Sequence, residues 1–224
     1  MCEALSSAFD FWRKREPKLR VRMCGILFAR PQTQLANQEI MPEIEYFDER
    51  TGCHIHLFVA GCYRSDLDRT FFPNGRLFPD GRPVGRTGRW QYSDAAFNVF
   101  RKDIEDRTAW RYNDGVELLL FNATYDAAKY AVLADFSTCI RVDLQKARSL
   151  GAVQSVAELI GQLARFCESS QSDDPTWGFS DSVGLRVAGS SLWQVIVGLL
   201  PKGLQSGAES ARLFVTADLG RHNA

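Results

Sequence analysis

The stretch from residue 21 to residue 62 constrains the fold more than any other. Residues 21–29 form an apolar run of strand length, closed by Pro31. A continuous run without polar alternation is the pattern of a strand covered on both faces. Ala36, Ile40, Ile44 and Phe47 then recur at spacings of four, four and three, which sets them on one helical face. Pro42 predicts a kink or the true helix start, because its nitrogen carries no proton. Gly52 fits the helix stop. Residues 53–62 are a second strand, rich in Ile, Leu, Phe and Val. Strand, helix and strand in about 45 residues make a βαβ unit with two parallel strands.

Downstream, residues 63–90 show little periodicity and many Gly, Pro and Arg residues, so they read as one long loop. Loops of that length in a compact domain are often functional. Ser93 starts a helix with Phe97, Phe100 and Ile104 on its buried stripe. Asn113-Asp114-Gly115 is a turn. Strands are expected at 116–121 and 130–136, with a shorter one at 140–144. Ser155-x-x-Glu158 is a capping box that opens a helix with Val156, Leu159, Ile160, Leu163, Phe166 and Cys167 inward. Beyond a polar stretch at 169–174 come a strand (183–188), a helix (191–200) and a strand (211–216). The expected fold is α/β: a mainly parallel sheet sandwiched by helices, with a small C-terminal strand-helix-strand extension. The core domain is expected at 1–168 and the extension, packed on it, at 175–224. Residues 108–144 are the segment where antiparallel pairing competes with this reading.

Composition narrows the partners. Lys+Arg and Asp+Glu are both 27, so the chain is not a protein that coats nucleic acid through bulk positive charge. No basic amphipathic helix marks a membrane surface. The six cysteines are scattered, mostly in apolar runs, and no Cys-x-x-Cys occurs. That pattern suits buried thiols in a reducing compartment. No secretory signal pattern is visible at the N-terminus, so a cytoplasmic location is expected.

The feature with most chemistry is the loop at 63–90. It holds Arg64, Arg69, Arg76, Arg82, Arg86 and Arg89, and no lysine, against Asp66, Asp68 and Asp80. A guanidinium is a planar fork that grips phosphate or carboxylate with two hydrogen bonds. Neighbouring Gly75, Gly81, Gly85 and Gly88 let backbone approach a ligand closely. Arg64, Arg69, Arg82, Arg86 and Arg89 are the candidate ligand-binding residues. The competing account is a solvated loop whose arginines pair with local carboxylates. Asp66 and Asp68 follow a strand's C-terminal end, where they could hold Mg²⁺ against a phosphorylated substrate, with Asp135 joining if its strand lies next to the second. His54 and His56 share one strand face and could ligate a metal, but the third histidine, His222, is remote in sequence. No Gly-x-Ser-x-Gly, P-loop or dinucleotide fingerprint is present. Trp90, Tyr92, Trp110 and Tyr112 flank one helix, either as core or as a stacking surface.

The sequence therefore points to a cytosolic α/β binding or effector module. It would recognise a nucleotide-like anionic small molecule or a partner protein through the Arg-rich loop. A metal-dependent phosphoester-processing enzyme and a structural subunit of a complex are the alternatives. Which cofactor the chain uses, if any, is unknown from the sequence.

Overall fold

The computed structural model describes residues 21–51, 55–65, 78–126, 131–169, 214–217 and 219–220. Strand β1 (Val21–Phe28) lies inside a five-stranded sheet with β2 (Ile55–Val59), β6 (Glu117–Asp126), β7 (Ala131–Asp143) and β8 (Phe214–Ala217). The order is β2-β1-β6-β7-β8. A second, three-stranded sheet has the order β3-β5-β4, formed by β3 (Cys62–Arg64), β4 (Arg82–Val84) and β5 (Trp90–Tyr92).

The expected mainly parallel sheet sandwiched by helices is overturned. Only β1 and β2 pair in parallel, from Met23↔Ile55 to Leu27↔Val59. The pairs β1–β6, β6–β7 and β7–β8 are antiparallel, as are both pairs of the small sheet. Connection length explains the β6–β7 pair. Parallel neighbours need a crossover of roughly a dozen residues or more, and only residues 127–130 separate β6 from β7. The two strands expected at 130–136 and 140–144 are one strand, β7, whose register against β6 shifts between Leu120 and Asn122. Near this irregularity the Asp135 carboxylate accepts hydrogen bonds from the Ser137 amide (2.9 Å) and hydroxyl (2.6 Å). β8 extends the larger sheet beside β7; the strand and helix expected at 183–188 and 191–200 lie outside the described residues.

The segment expected to form one kinked helix passes through a π-helical turn (Ala36–Ile40) and a 3-10 turn (Met41–Glu43) before regular helix α1 (Ile44–Thr51) begins. Pro42 sits in the 3-10 turn, where its missing N–H costs no α-helical hydrogen bond. Ala36, Ile40, Ile44 and Phe47 are all buried. Helix α2 (Asp94–Arg107) is capped by Ser93, whose hydroxyl accepts from the Ala96 amide. A short helix α3 (Leu144–Ser149), capped by Asp143, replaces the end of the expected strand. Helix α4 (Val156–Ser169) starts at Ser155, whose hydroxyl accepts from the Glu158 amide at 3.1 Å. Glu39 completes this start from a distance: its carboxylate accepts from the Val156 amide (3.0 Å) and from Arg148 Nε (2.8 Å). No helix among the described residues is long and apolar enough to cross a membrane.

Strand β1 is the core's axis, with Cys24 and residues 26–29 fully buried. Alternation sends its side chains to opposite faces. The Met23 sulfur meets Cys167 of α4 at 3.7 Å. Phe28, on the other face, stacks on Trp110 at 4.3 Å and meets the edge of Phe97 at 6.1 Å. Burial of a side chain like Phe28 contributes about 1.5–3 kcal/mol. Trp110 Nε1 donates to the fully buried Glu117 carboxylate at 2.9 Å, which Arg141 also grips through Nε at 3.1 Å. The ion pair spares the core an uncompensated charge.

The second strand does not run to residue 62 as expected. It ends at Val59, and the chain leaves the larger sheet through Ala60 and Gly61. Gly61 has φ 84°, and a Cβ there would lie 2.8 Å from Tyr92 and 2.9 Å from Phe97 and from the Ser93 carbonyl oxygen. Its own carbonyl accepts from the Ser93 amide at 2.9 Å. Gly61→Ala combines a left-handed backbone with a collision against packed atoms. It should destabilise the fold by roughly 2–4 kcal/mol, read as a lowered urea midpoint. A loss below about 1 kcal/mol would show that the corner tolerates a side chain.

Candidate functional site

The small sheet is held to the rest of the molecule by carboxylates. Asp80, just before β4, accepts from the Ser93 hydroxyl (2.6 Å) and the Ala95 amide (3.0 Å) at the start of α2. The turn at 85–88 joins β4 to β5, with Gly85 at φ 77° and Gly88 at φ 70°. These angles turn successive amides toward one point, a geometry suited to an anion. The anion present is Glu45 of α1. It accepts from the Arg86 amide (3.1 Å), the Thr87 amide (3.1 Å) and the Thr87 hydroxyl (2.9 Å). A Cβ on Gly85 would overlap that carboxylate.

Between this wall and residues 31–42 lies a cleft of about 430 Å³. Pro31, Met41, Pro42, Pro83 and Val84 supply its apolar surface; Gln32, Asn37, Arg82 and Arg86 supply the polar groups. Proline fixes its own φ, so three prolines in the lining hold the shape with little freedom. Arg82 lies 5.2 Å over the Tyr92 ring and pairs with Asp94 at 3.3 Å. Asp94 also accepts from the Tyr92 hydroxyl (3.1 Å) and from Gln32 (3.4 Å). Arg86 pairs with Glu43 at the rim.

Of the expected ligand-binding arginines, the structure brings together Arg82 and Arg86. Arg64 is turned to Asp48 of α1, 3.6 Å away, and does not line the cleft. Arg89 is exposed; its carbonyl accepts from the Ser65 amide and hydroxyl. Arg69 and Arg76, and the expected metal ligands Asp66 and Asp68, lie outside the described residues, as does His54. His56 is buried on β2, opposite Cys24 in the parallel register. Asp135 does not join the end of β2, because β1 and β6 stand between β2 and β7, a separation of about 14 Å. Among the described residues no group of three or more His, Cys, Asp or Glu could hold a metal ion. Tyr92 and Trp110 are core, not a stacking surface, with exposures of 0% and 1%.

Protein-family models, curated proteins and solved structures yield no match to this chain.

Sequence reasoning missed the far wall of the cleft and the carboxylates that set its geometry. Gln32 and Asn37 carry no motif. Glu43 and Glu45 lie off the apolar stripe of Ala36, Ile40, Ile44 and Phe47 and carry no motif either. The two glycines flanking the turn were the one available signal, since left-handed positions prefer glycine.

The carboxylates make the wall sensitive to acid. Burial acts to raise the Glu45 carboxyl, but hydrogen bonds from the Thr87 and Arg86 amides prevail and hold it below its ordinary 4.5. The Ser93 hydroxyl, followed by the Ala95 amide, holds Asp80 below its ordinary 3.8. A depressed folded-state value gives stability that is present above the unfolded value and lost as pH falls through the folded one. Tm should therefore drop as pH is taken below about 4.5. Glu45→Gln with Asp80→Asn should lower Tm at neutral pH and flatten that acid decline. An unchanged acid limb in the double variant would show that other carboxylates carry it.

The described thiols with shifted titration are poor nucleophiles. Burial pushes Cys139 and Cys167 up to about 12 and raises Cys62 as well, the opposite of an activated cysteine. In native protein these three should react slowly with a thiol reagent, and all six cysteines of the chain should react after denaturation. Rapid labelling of Cys62, which is partly buried, found by mass spectrometry, would contradict its raised thiol pKa.

Proposed function

We propose that this protein is a binding module for an anionic small molecule of nucleotide size, taken into the cleft between residues 31–42 and β4. Arg82 and Arg86 grip the anion, Gln32 and Asn37 offer amides to its polar edges, and the prolines and Met41 receive its apolar body. The observation that carries this reading is the presence of two guanidinium groups on one wall of a cleft of about 430 Å³, a volume in the range of small-molecule sites. Neither present ion pair shuts its guanidinium away from a ligand. The Arg82–Asp94 side chains are 47% and 43% exposed and Arg86 is 72% exposed, and exposed ion pairs contribute only about 0–1 kcal/mol.

Each charge-assisted hydrogen bond to the ligand contributes about 1.5–3 kcal/mol net. Two such contacts with apolar burial reach micromolar affinity, on the order of −8 kcal/mol. The test is calorimetry and thermal shift with AMP, ADP, ATP, pyrophosphate and citrate. At 100 times Kd a ligand stabilises the fold by about 2.7 kcal/mol, a clear rise in Tm. Arg82→Ala with Arg86→Ala should weaken binding by about tenfold or more, and binding to wild type should weaken with salt. If none of these anions binds wild type, or the double variant binds equally well, the cleft is not an anion site and recognition of a partner protein is the better reading.

A further inference from the structure

We propose that Glu43 is a built-in competitor for the anion site: its carboxylate holds the Arg86 guanidinium at the rim and must be released before a ligand anion is gripped there. This inference rests on the anion-binding reading of the cleft. Two carboxylates two residues apart, Glu43 and Glu45, meet the same turn in different ways. Glu45 is held by two backbone amides and a hydroxyl, so it is part of the wall and cannot leave without loosening the turn. Among the described residues, the Arg86 side chain is what Glu43 holds. That side chain is 72% exposed, free to swing on its flexible stem once the pair opens. Asp94 differs from Glu43 on the other guanidinium. It accepts from the Tyr92 hydroxyl and Gln32 as well as from Arg82, so it stays fixed while a ligand joins Arg82 from the cleft side. The ligand's competitor is thus one residue, on the turn that opens helix α1.

The competition is an exchange of anions on one cation. Ligand binding replaces Glu43 on Arg86, and the freed carboxylate returns to water. Opening an exposed pair of this kind lowers ligand affinity by roughly two- to fivefold. The experiment is calorimetric titration of the wild-type chain, Glu43→Gln and Glu45→Gln with pyrophosphate and with ADP. Glu43→Gln should bind these probes about two- to fivefold more tightly than wild type, with Tm changed little. Glu45→Gln should instead lower Tm and weaken binding, because the wall itself loosens. If wild type binds the probes and Glu43→Gln binds them equally or more weakly, the competitor role is overturned while the anion site stands. If neither wild type nor Glu43→Gln binds any probe, the anion-binding reading fails and the competitor role falls with it.

Discussion

Gly61 takes the chain out of the larger sheet with φ 84°, in a space that Tyr92, Phe97 and the Ser93 carbonyl close to any side chain. Before this corner, β2 lies in parallel on β1, and the Ala60 amide still donates to Leu27 at 2.9 Å. After it, β3 starts the small sheet. The Gly61 carbonyl, by accepting from Ser93, also ties the corner to the capping residue of α2. The orientation of the small sheet, and so the wall of the cleft, depends on this one left-handed residue and the atoms packed around it.

Carboxylates then fix what the corner positions. Asp80 binds the approach to β4 onto the start of α2, and Glu45 fills the turn that follows β4. Glu39 plays the same part across the molecule, joining the π-helical turn to Arg148 and to the first amide of α4. Each pairs with backbone N–H groups that helix starts and glycine turns leave without a partner. Short elements with modest apolar area are thereby held together by polar contacts rather than by a core of their own. Arg82 and Arg86 sit on the resulting frame with exposed guanidinium groups, which leaves their charge available to a competing anion.

Local signals were legible where one stretch of chain settles its own structure. The apolar run at 21–29, the stripe Ala36, Ile40, Ile44 and Phe47, the Ser93 cap and the Ser155 cap all depend on periodicity or on a hydroxyl within a few residues. The three strands of the small sheet were not legible, because each has three residues, too few to display alternation. Among the expected arginines, Arg82 and Arg86 share a cleft and Arg64 does not, a distinction set by Asp48 on α1, sixteen positions earlier.

The amino-acid sequence by itself determined the apolar run of the first strand, the helix starts at Ser93 and Ser155, the burial of thiols set in apolar runs, and the concentration of arginine in residues 63–90. Those properties follow from side-chain chemistry and short-range spacing. The tertiary structure alone decided strand direction and the site. An apolar run satisfies its hydrogen bonds equally well beside a parallel or an antiparallel neighbour, so the short 127–130 connection, not the composition of β6 or β7, makes that pair antiparallel. In the same way an arginine carries its charge anywhere on the surface. Arg82 and Arg86 become one wall of a cleft because a glycine corner and two carboxylates, Asp80 and Glu45, hold β4 against residues 31–42.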